Sequence, residues 1–449
     1  SYGRETAPSW VIDAPPGRYE ITMGHTGTSI TEYLTKGAEA ARAKGVVVEM
    51  EADHLTVTSS SARAVKRISG YKEEYRLSDE EVEEALSYIK REVDEAASTG
   101  YINFYTIDTC ELIDPAHEKL EGKRLEDVFY EVYGKVEGEA ILDKYANRCF
   151  VFIGATGRYF SIYLSRQRVM QLALKYKRSI ETTLKIVGYL SEKTPSEYGV
   201  EIAFDETPYI TREDELFFYL SRLRDYGLRP DFIAPNVGFE KKQDYRGDLA
   251  ALERRVERLS AIARSFSTLL CFHSGSGSSP WSGKGPGTYA ALLRATGGLL
   301  KYKVSGVYFE LLMEIYASQP PGSRARKLYE KIYDEVYSYV RREVEEDGPL
   351  NSPALRRQLE DYEKKIRPHD PYDPRAELFR YYSFLALNLR DKAGKRHLRE
   401  EIIETYEGNE ELRKKVDEEV KRLTLRLIDG LDFANNLALL ADSSLKPSS

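Results

Sequence analysis

Residues 269–277, with the sequence LLCFHSGSG, join four consecutive apolar residues to a histidine and a loop of small residues. A short continuous apolar run predicts a strand that is buried on both faces, as in a parallel sheet covered by helices. Residues 200–206, VEIAFDE, repeat this pattern with two acidic residues where the run ends. Together the two stretches predict an α/β fold with polar side chains collected where its strands end.

Six further runs share this pattern, and most are followed by a segment with helical periodicity. The eight predicted strands are residues 19–23, 45–50, 102–107, 149–153, 200–204, 230–234, 269–272 and 304–309. Eight strands that alternate with helices favour a closed (β/α)8 barrel of the TIM type over an open sheet. One of the eight has an alternative, because residues 159–164 follow closely enough to form an inserted hairpin with residues 150–153.

The pattern becomes helical and highly charged after about residue 316, with predicted helices at 323–346, 376–389 and 410–440. We therefore predict two parts of the chain. Residues 1–320 form a (β/α)-barrel catalytic domain with an inserted segment around 112–198. Residues 321–449 form a helical extension packed on the barrel.

Composition excludes several classes of partner. The net charge is −7, and no basic stripe interleaved with aromatic residues is visible, which argues against nucleic acid. No run approaches the roughly 18 apolar residues of a membrane span. The three cysteines fit a reducing compartment, so we expect a cytoplasmic protein. Few Cys and Met beside abundant Glu, Lys, Arg and Tyr are typical of a thermophile. Assembly into a homo-oligomer is possible on this sequence.

Polar side chains follow the predicted strands at the edge where barrel enzymes keep their active sites. These residues are His25, Asp53, His54, Asp108, Asp205, Glu206, Asn236, His273 and Glu310. Neutral imidazole and carboxylate oxygens suit a divalent ion such as Zn, Mn, Co, Ni or Fe. We predict a metal site in which His54 is a ligand and Asp53 is the acid/base. The alternatives are that each histidine is merely hydrogen-bonded and that Asp53 caps the helix predicted near Ser59.

Two stretches each contain more than one glycine, as nucleotide-binding loops do. The loop after His273 extends to Lys284, and its backbone N–H groups suit an anion or a sugar oxygen, although a flexible surface loop is the alternative. It is not a P-loop, because Gly285 stands where that motif requires Ser or Thr. Residues 151–157, VFIGATG, lack the third glycine of a dinucleotide-binding turn, because Phe160 stands there.

The strand ends resemble those of the class II fructose-bisphosphate aldolases. In that family an Asp-His pair and a later His-Gly-Gly-Ser-Gly loop carry the base and metal ligands, and Asp53-His54 and residues 273–277 stand in those places. Residues 107–108 resemble the family's Ile-Asp, and residues 200–202 resemble its Glu-containing strand. A further aldolase histidine is absent near Asn236, so the resemblance implies Glu201 or Asp205 as the third ligand.

A closer resemblance, over nearly the full length, is to the tagaturonate/fructuronate epimerase family and its tagatose 4-epimerase relatives. Residues 53–56 (DHLT), 201–206 (EIAFDE), 234–241 (APNVGFEK) and 273–276 (HSGS) carry it. The resemblance implies a metal-dependent isomerase of carbohydrate metabolism that inverts the carbon beta to the ketone. Residues 277–284 depart from the family's Asp-Lys pattern, so tagaturonate/fructuronate, tagatose/fructose and a phosphorylated ketose all stay open as substrates.

Simple enolisation cannot invert a carbon beyond the alpha position, so we expect a retro-aldol/aldol route with the metal as a Lewis acid. Asp53, Asp108 and Glu206 are the candidate proton-transfer residues, and Glu201 and Asp205 the acidic ligands beside His54 and His273. The candidate substrate-binding residues are His25, Lys66, Asn236, Lys241, Ser274, Ser276 and Lys284, in which the lysines would hold a carboxylate. The alternatives are a true aldolase, an α-carbon ketose epimerase and a non-catalytic sugar-binding barrel.

Overall fold

The computed structural model describes residues 2–3, 6–15, 26–60, 63, 66, 76–194, 196–304 and 306–434 of the 449. Within them, seven strands form one parallel sheet in the order β1-β4-β5-β8-β9-β10-β11. These strands are β1 (Tyr2–Gly3), β4 (Glu51–Thr56), β5 (Phe104–Asp108), β8 (Gly199–Ala203), β9 (Phe232–Ala234), β10 (Leu269–Phe272) and β11 (Leu300–Tyr302). Two smaller sheets pair β2 (Thr6–Ala7) with β3 (Thr28–Ser29), and β6 (Arg148–Ile153) with β7 (Tyr159–Leu164).

Helices connect most neighbouring strands of the large sheet, and further helices follow it. They are α1 (Ser9–Ile12), α2 (Ile30–Lys44), α3 (Asp79–Ser98), α4 (Gly122–Tyr145), α5 (Arg166–Lys193), α6 (Glu213–Asp225), α7 (Leu249–Arg264), α8 (Thr288–Thr296), α9 (Val307–Ala317), α10 (Arg324–Glu345), α11 (Pro353–Asp361), α12 (Glu377–Tyr382), α13 (His397–Glu407) and α14 (Glu410–Gly430). In the described part of the chain, no helix has both the length and the apolar composition that crossing a bilayer requires.

The two faces of the sheet are buried against different surroundings. Ile202, Ile233 and Leu270 lie on the face that packs against the helices, and they are part of the main hydrophobic core. Their strand neighbours Ala203, Ala234 and Cys271 form a separate small cluster. Successive side chains alternate between the faces of a strand, so an apolar run with small residues at every second position leaves space on one face. That space is where the charged side chains of the site lie.

Two of the predicted strands are wrong, and a third belongs to a separate hairpin. The predicted strand 45–50 is not one, since β4 begins at Glu51 after the helix cap at Gly45. Residues 148–153 pair antiparallel with 159–164, which confirms the hairpin alternative and removes them from the large sheet. Residues 304 and 306–309 are not in a strand, because β11 ends at Tyr302 and α9 begins at Val307. The predicted strand 19–23 and His25 lie outside the described residues.

The large sheet curls so that its last strand reaches the opposite side. Lys301 on β11 places its Nζ 2.5 Å from Glu49 Oε1 and 3.2 Å from Glu51 Oε2, on the second strand from the other edge. Lys303 reaches Asp53 Oδ1 at 2.8 Å. A flat seven-stranded sheet would separate these strands by several times the roughly 4.8 Å spacing of neighbours. Among the described residues no backbone pairing joins β11 to β1.

The helices from α9 onward pack around a second hydrophobic core. This unit touches the loops of the sheet through Arg380 on α12, whose guanidinium is buried. It lies 3.0 Å from Glu310 Oε2 and donates to the carbonyls of Lys242 at 2.8 Å and Gly277 at 2.6 Å. Lys242 Nζ also lies 2.9 Å from Glu310 Oε1. Two loops that follow β9 and β10 are thereby fixed to the helical unit.

The Arg380 contact can be tested by Arg380→Met. The substitution leaves Glu310 buried with less compensating charge and removes the donors to two carbonyls, so we expect the free energy of unfolding to fall by about 3 kcal/mol. Chemical denaturation measures this. Lys364→Met is the matched control, because Lys364 pairs with Glu360 on an exposed helix surface. It should lower the free energy of unfolding far less than Arg380→Met does. Equal losses for the two variants would contradict the assigned role of Arg380.

Candidate active site

An irregularity in β4 brings two neighbouring side chains to the site. The register with β5 shifts between Ala52 and Leu55, so one extra residue lies on β4. His54 has φ 61°, in the left-handed region that non-glycine residues rarely adopt. In a regular strand Asp53 and His54 would point to opposite faces, whereas a bulge can re-aim one of them. The backbone energy that this costs, on the order of 1–3 kcal/mol, is typical of functional positions.

The imidazole rings of His54 and His273 face each other with their centroids 4.7 Å apart. His54 comes from the bulge in β4, and His273 immediately follows β10. His54 Nδ1 lies 3.2 Å from Asp108 Oδ2, and the other oxygen of Asp108 accepts from the backbone N–H of Cys110 at 2.9 Å. Asp108 thus fixes the orientation of His54 and leaves its Nε2 facing Asp53, with Oδ1 at 3.6 Å.

His273 lies between two carboxylates. Its Nε2 is 2.5 Å from Glu201 Oε1, and its Nδ1 is 3.0 Å from Asp205 Oδ1. Burial lowers the pKa of His273, but Asp205 and Glu201 outweigh it and hold the pKa well above its usual range. Burial likewise raises the pKa of Glu201 and of Asp205. The charges of Lys303 and His273 nevertheless hold the pKa of Glu201 below its usual range, and His273 and His54 do the same for Asp205.

Lys303 lies at the centre of the acidic residues, although the sequence did not single it out. Its Nζ is 2.5 Å from Glu51 Oε1, 2.8 Å from Asp53 Oδ1, 3.0 Å from Glu201 Oε1 and 2.7 Å from the hydroxyl oxygen of Thr106. Burial raises the pKa of Asp53, but Lys303, followed by the two histidines, holds it well below its usual range. Asp53 is therefore a carboxylate held in a fixed position.

The donor set suits a divalent cation. Glu201 Oε2 and Asp205 Oδ2 are buried and have no hydrogen-bond partner among the described residues, so each has an unused acceptor beside His273. Three sets of three residues each place their ligand atoms, one per residue, within 4.8 Å of one another. The sets are Asp53, His54 and His273; Glu201, Cys271 and His273; and His54, Asp108 and Glu206. Burial raises the pKa of Cys271 to about 12, so it is a thiol and a weaker ligand than the carboxylates.

The remaining predicted residues divide into those at the rim and those used by the loops. Glu206 Oε1 lies 2.9 Å from Lys241 Nζ, which is partly exposed. Asn236 donates to the carbonyl of Thr207 at 2.8 Å and accepts from the N–H of Gly238 at 2.8 Å, so its amide is engaged by backbone. Among the described residues, no contact joins Lys66 to the carboxylates of the site. His25 lies outside them.

Lys284 is fully buried and fixes the loops that surround His273. Its ammonium donates to the carbonyls of Glu240, Ser274 and Ser276, the last two at 2.7 and 3.2 Å. Ser274 has φ 56°, and the hydroxyl of Ser276 accepts from the N–H of Lys242 at 3.2 Å. The ammonium is used for loop structure, which leaves Lys241 as the predicted lysine that lies beside a site carboxylate.

The sequence contained a signal for the missed residues. Glu49, Glu51 and Asp53 alternate along one segment, and Lys301 and Lys303 alternate along another. Alternating like charges at period two share one face of a strand, and the two sets have opposite sign. The predicted strands 45–50 and 304–309 leave out Glu51, Asp53, Lys301 and Lys303, so this complementarity of charge was not predicted.

The fold and site define an α/β protein with buried imidazoles and carboxylates at the carboxyl edge of its parallel sheet. The chain belongs to the tagaturonate epimerase family, whose model matches residues 53–423. A tagaturonate/fructuronate epimerase of Thermotoga maritima is 28% identical over 266 residues, which cover 58% of this chain and 50% of that protein. The chain thus matches about half the length of this curated relative.

Solved structures of a fructuronate-tagaturonate epimerase from Cohnella laeviribosi have the same fold. The crystal structure with two glycerols superposes with a TM-score of 0.64 at 18% identity, covering 96% of this chain and 82% of that one. The structure with one glycerol gives a TM-score of 0.58 at 20% identity, covering 80% and 67%. At this level of identity the likeness extends to the fold alone.

The assignment of Lys284 predicts a pH-dependent loss of stability for Lys284→Met. Burial lowers the pKa of Lys284 to about 7 from an ordinary 10.5. Between these values the unfolded chain binds more protons than the folded one, so the folded state gains stability as pH rises. We expect the destabilisation by Lys284→Met to be about 2 kcal/mol larger at about pH 8.5 than at about pH 6.5.

Chemical denaturation of both proteins at the two pH values measures this difference. Lys327→Met, which removes an exposed lysine from the helical unit, is the control for the loss of a lysine charge. A loss for Lys284→Met that is the same at both pH values would show that the buried ammonium has an ordinary pKa.

Proposed function

We propose that this chain is a metal-dependent epimerase that interconverts tagaturonate and fructuronate at the carbon beta to the ketone. The observation that carries the proposal is the 4.7 Å distance between the ring centroids of His54 and His273, which lie beside buried carboxylates in a chain of the tagaturonate epimerase family. The name of the Thermotoga maritima relative gives the same substrate pair. An enzyme of sugar-acid metabolism with this composition is expected in the cytoplasm.

His54, His273 and Glu201, with Asp205 as a fourth candidate, are the residues that would hold the ion. Imidazole nitrogens and carboxylate oxygens suit Zn, Mn, Co, Ni or Fe, and the unsatisfied oxygens of Glu201 and Asp205 support this set. A divalent ion bound there would supply Lewis-acid polarisation of the ketone and its neighbouring hydroxyl. Asp108 keeps the ring of His54 in the orientation that leaves Nε2 free to act as a ligand.

Asp53 is the proton-transfer residue we favour over Asp108. Both oxygens of Asp108 already have partners, His54 and the backbone of Cys110, whereas Asp53 is held through one oxygen. Asp53 takes the proton from the hydroxyl of the inverting carbon, and the adjacent carbon–carbon bond breaks, leaving an aldehyde and an enediolate. The aldehyde rotates, the bond forms again on its other face, and Asp53 returns the proton.

The substrate carboxylate is assigned to the rim of the site. Lys241 is partly exposed and pairs with Glu206 at 2.9 Å, so it combines access with a place beside the carboxylates. Ser274 and Ser276 lie in the loop beside His273 and suit contacts with sugar hydroxyls. Tagatose and fructose, which have a hydroxymethyl group instead of the carboxylate, are the second substrate pair to test.

We also propose the architecture that surrounds this site. The contacts of Lys301 with Glu49 and Glu51 support a sheet that is part of a (β/α)8 barrel. Residues 1–320 would form this catalytic domain, with α4, the β6–β7 hairpin and α5 inserted around 112–198. Residues 321–449 would form the helical extension that holds the site loops through Arg380.

The function is tested by incubating the metal-loaded chain with tagaturonate, fructuronate, tagatose and fructose in D2O and resolving the products by NMR. We expect tagaturonate and fructuronate to interconvert, without deuterium at the inverted carbon, because no carbon-bound proton there exchanges with solvent. Inversion at the carbon alpha to the ketone, with deuterium at that carbon, would indicate an enolising epimerase instead. Stoichiometric release of free fragments would indicate an aldolase.

Two histidine variants separate the metal site from general effects. His54→Ala should lose bound metal and lower kcat/KM by roughly 1000-fold, on the scale of a lost catalytic ion. His397→Ala is the matched control, since His397 pairs with Glu335 in the helical unit. Turnover and bound metal that persist in His54→Ala would overturn the assigned site.

A further inference from the structure

Lys303 occupies a position that has the chemistry of a cation site. Its ammonium has four oxygen neighbours within 3.0 Å: Glu51 Oε1, Asp53 Oδ1, Glu201 Oε1 and the hydroxyl oxygen of Thr106. These oxygens come from three neighbouring strands, β4, β5 and β8. Carboxylate and hydroxyl oxygens gathered around one point are what a hard divalent cation such as Mg²⁺ or Mn²⁺ prefers.

The backbone fixes Lys303 in this position. Its N–H donates to the carbonyl of Phe272 at 2.9 Å, and its own carbonyl accepts from the N–H of Gly275 at 3.1 Å. Only glycine fits at residue 275, because a Cβ there would lie 2.4 Å from the carbonyl oxygen of Lys303. The β10 strand and the loop after His273 therefore hold the backbone N–H and C=O of Lys303. The position of its ammonium in the site is thus fixed by the fold.

The neighbouring Lys301 does not fill the same position. Its Nζ faces the outer side of the cluster, at 2.5 Å from Glu49 and 3.2 Å from Glu51 Oε2. It lies 3.7 Å from Glu201 Oε2, an oxygen that is fully buried and has no hydrogen-bond partner among the described residues. Without Lys303, the buried carboxylates of Glu51, Asp53 and Glu201 would have to be neutralised by protons or by another cation.

We propose that Lys303 occupies a second cation position next to the His54–His273 site and thereby restricts that site to one metal ion. The inference rests on the proposed function, in which a single divalent ion is held by the two histidines. Lys303 is then a positioning residue that determines metal stoichiometry. It keeps Asp53 paired with an ammonium instead of ligating a metal, so that Asp53 stays available for proton transfer.

The test is a titration of metal-free protein with Mn²⁺ alone. Calorimetry measures the number of bound ions, and electron paramagnetic resonance detects whether two ions lie close together. The wild-type chain and Lys303→Arg, which keeps the charge, should bind about one Mn²⁺ per chain, whereas Lys303→Met should bind about two within roughly 4 Å of each other. Such a pair gives a spin-coupled spectrum that a single ion does not. We also expect kcat of Lys303→Met to fall by roughly 100-fold with little change in KM.

Lys301→Met is the matched control, because it removes a lysine from the same charge cluster but leaves Lys303 in place; it should bind about one Mn²⁺. Lys303→Gln repeats the test if Lys303→Met does not fold. A single, uncoupled ion in the variants without an ammonium at residue 303, together with a single ion in the wild type, would overturn the inference and leave the proposed function standing. A wild-type chain that binds no ion while Lys303→Met binds one would support the second position and contradict the metal site of the proposed function.

Discussion

The site depends on the neutralisation of buried carboxylates across the interior of the curled sheet. Glu51, Asp53 and Glu201 are buried or nearly so, and a carboxylate removed from water is stable only beside compensating charge. Lys303 supplies that charge from the last strand to carboxylates on β4 and β8. The same pairing holds the last strand near β4, so the curvature of the sheet and the polarity of its interior have one cause.

Local backbone features position the side chains of the proposed site. The bulge at His54 sends Asp53 and His54 into one site, and the loop after β10 presents His273. The loops themselves are fixed from outside by Lys284, which donates to three carbonyls, and by Arg380 from the helical unit. Substitutions in the helical unit are therefore expected to affect the site through Arg380 and through the Lys242–Glu310 pair, without contact with substrate.

The sequence predicted the parts of the fold and site that local pattern determines. The apolar runs at residues 200–204 and 269–272 coincide with β8 and β10, because buried strands of a parallel sheet must be almost wholly apolar. It also singled out His54 and His273, whose rings the structure brings together. The strand predicted at 304–309 was wrong because Gly306, with φ 72°, begins a helix there. Lys301 and Lys303 were missed because their partners are some 250 residues away, and only the curvature of the sheet brings them together.

The central claim is that one divalent ion is bound between the imidazoles of His54 and His273. Anomalous X-ray diffraction from crystals of the chain grown with Zn²⁺ or Mn²⁺ tests it most directly. One strong anomalous peak is expected within bonding distance of a nitrogen of each ring and of an oxygen of Glu201. Metal-loaded, active protein whose crystals show no peak between these two rings would contradict it.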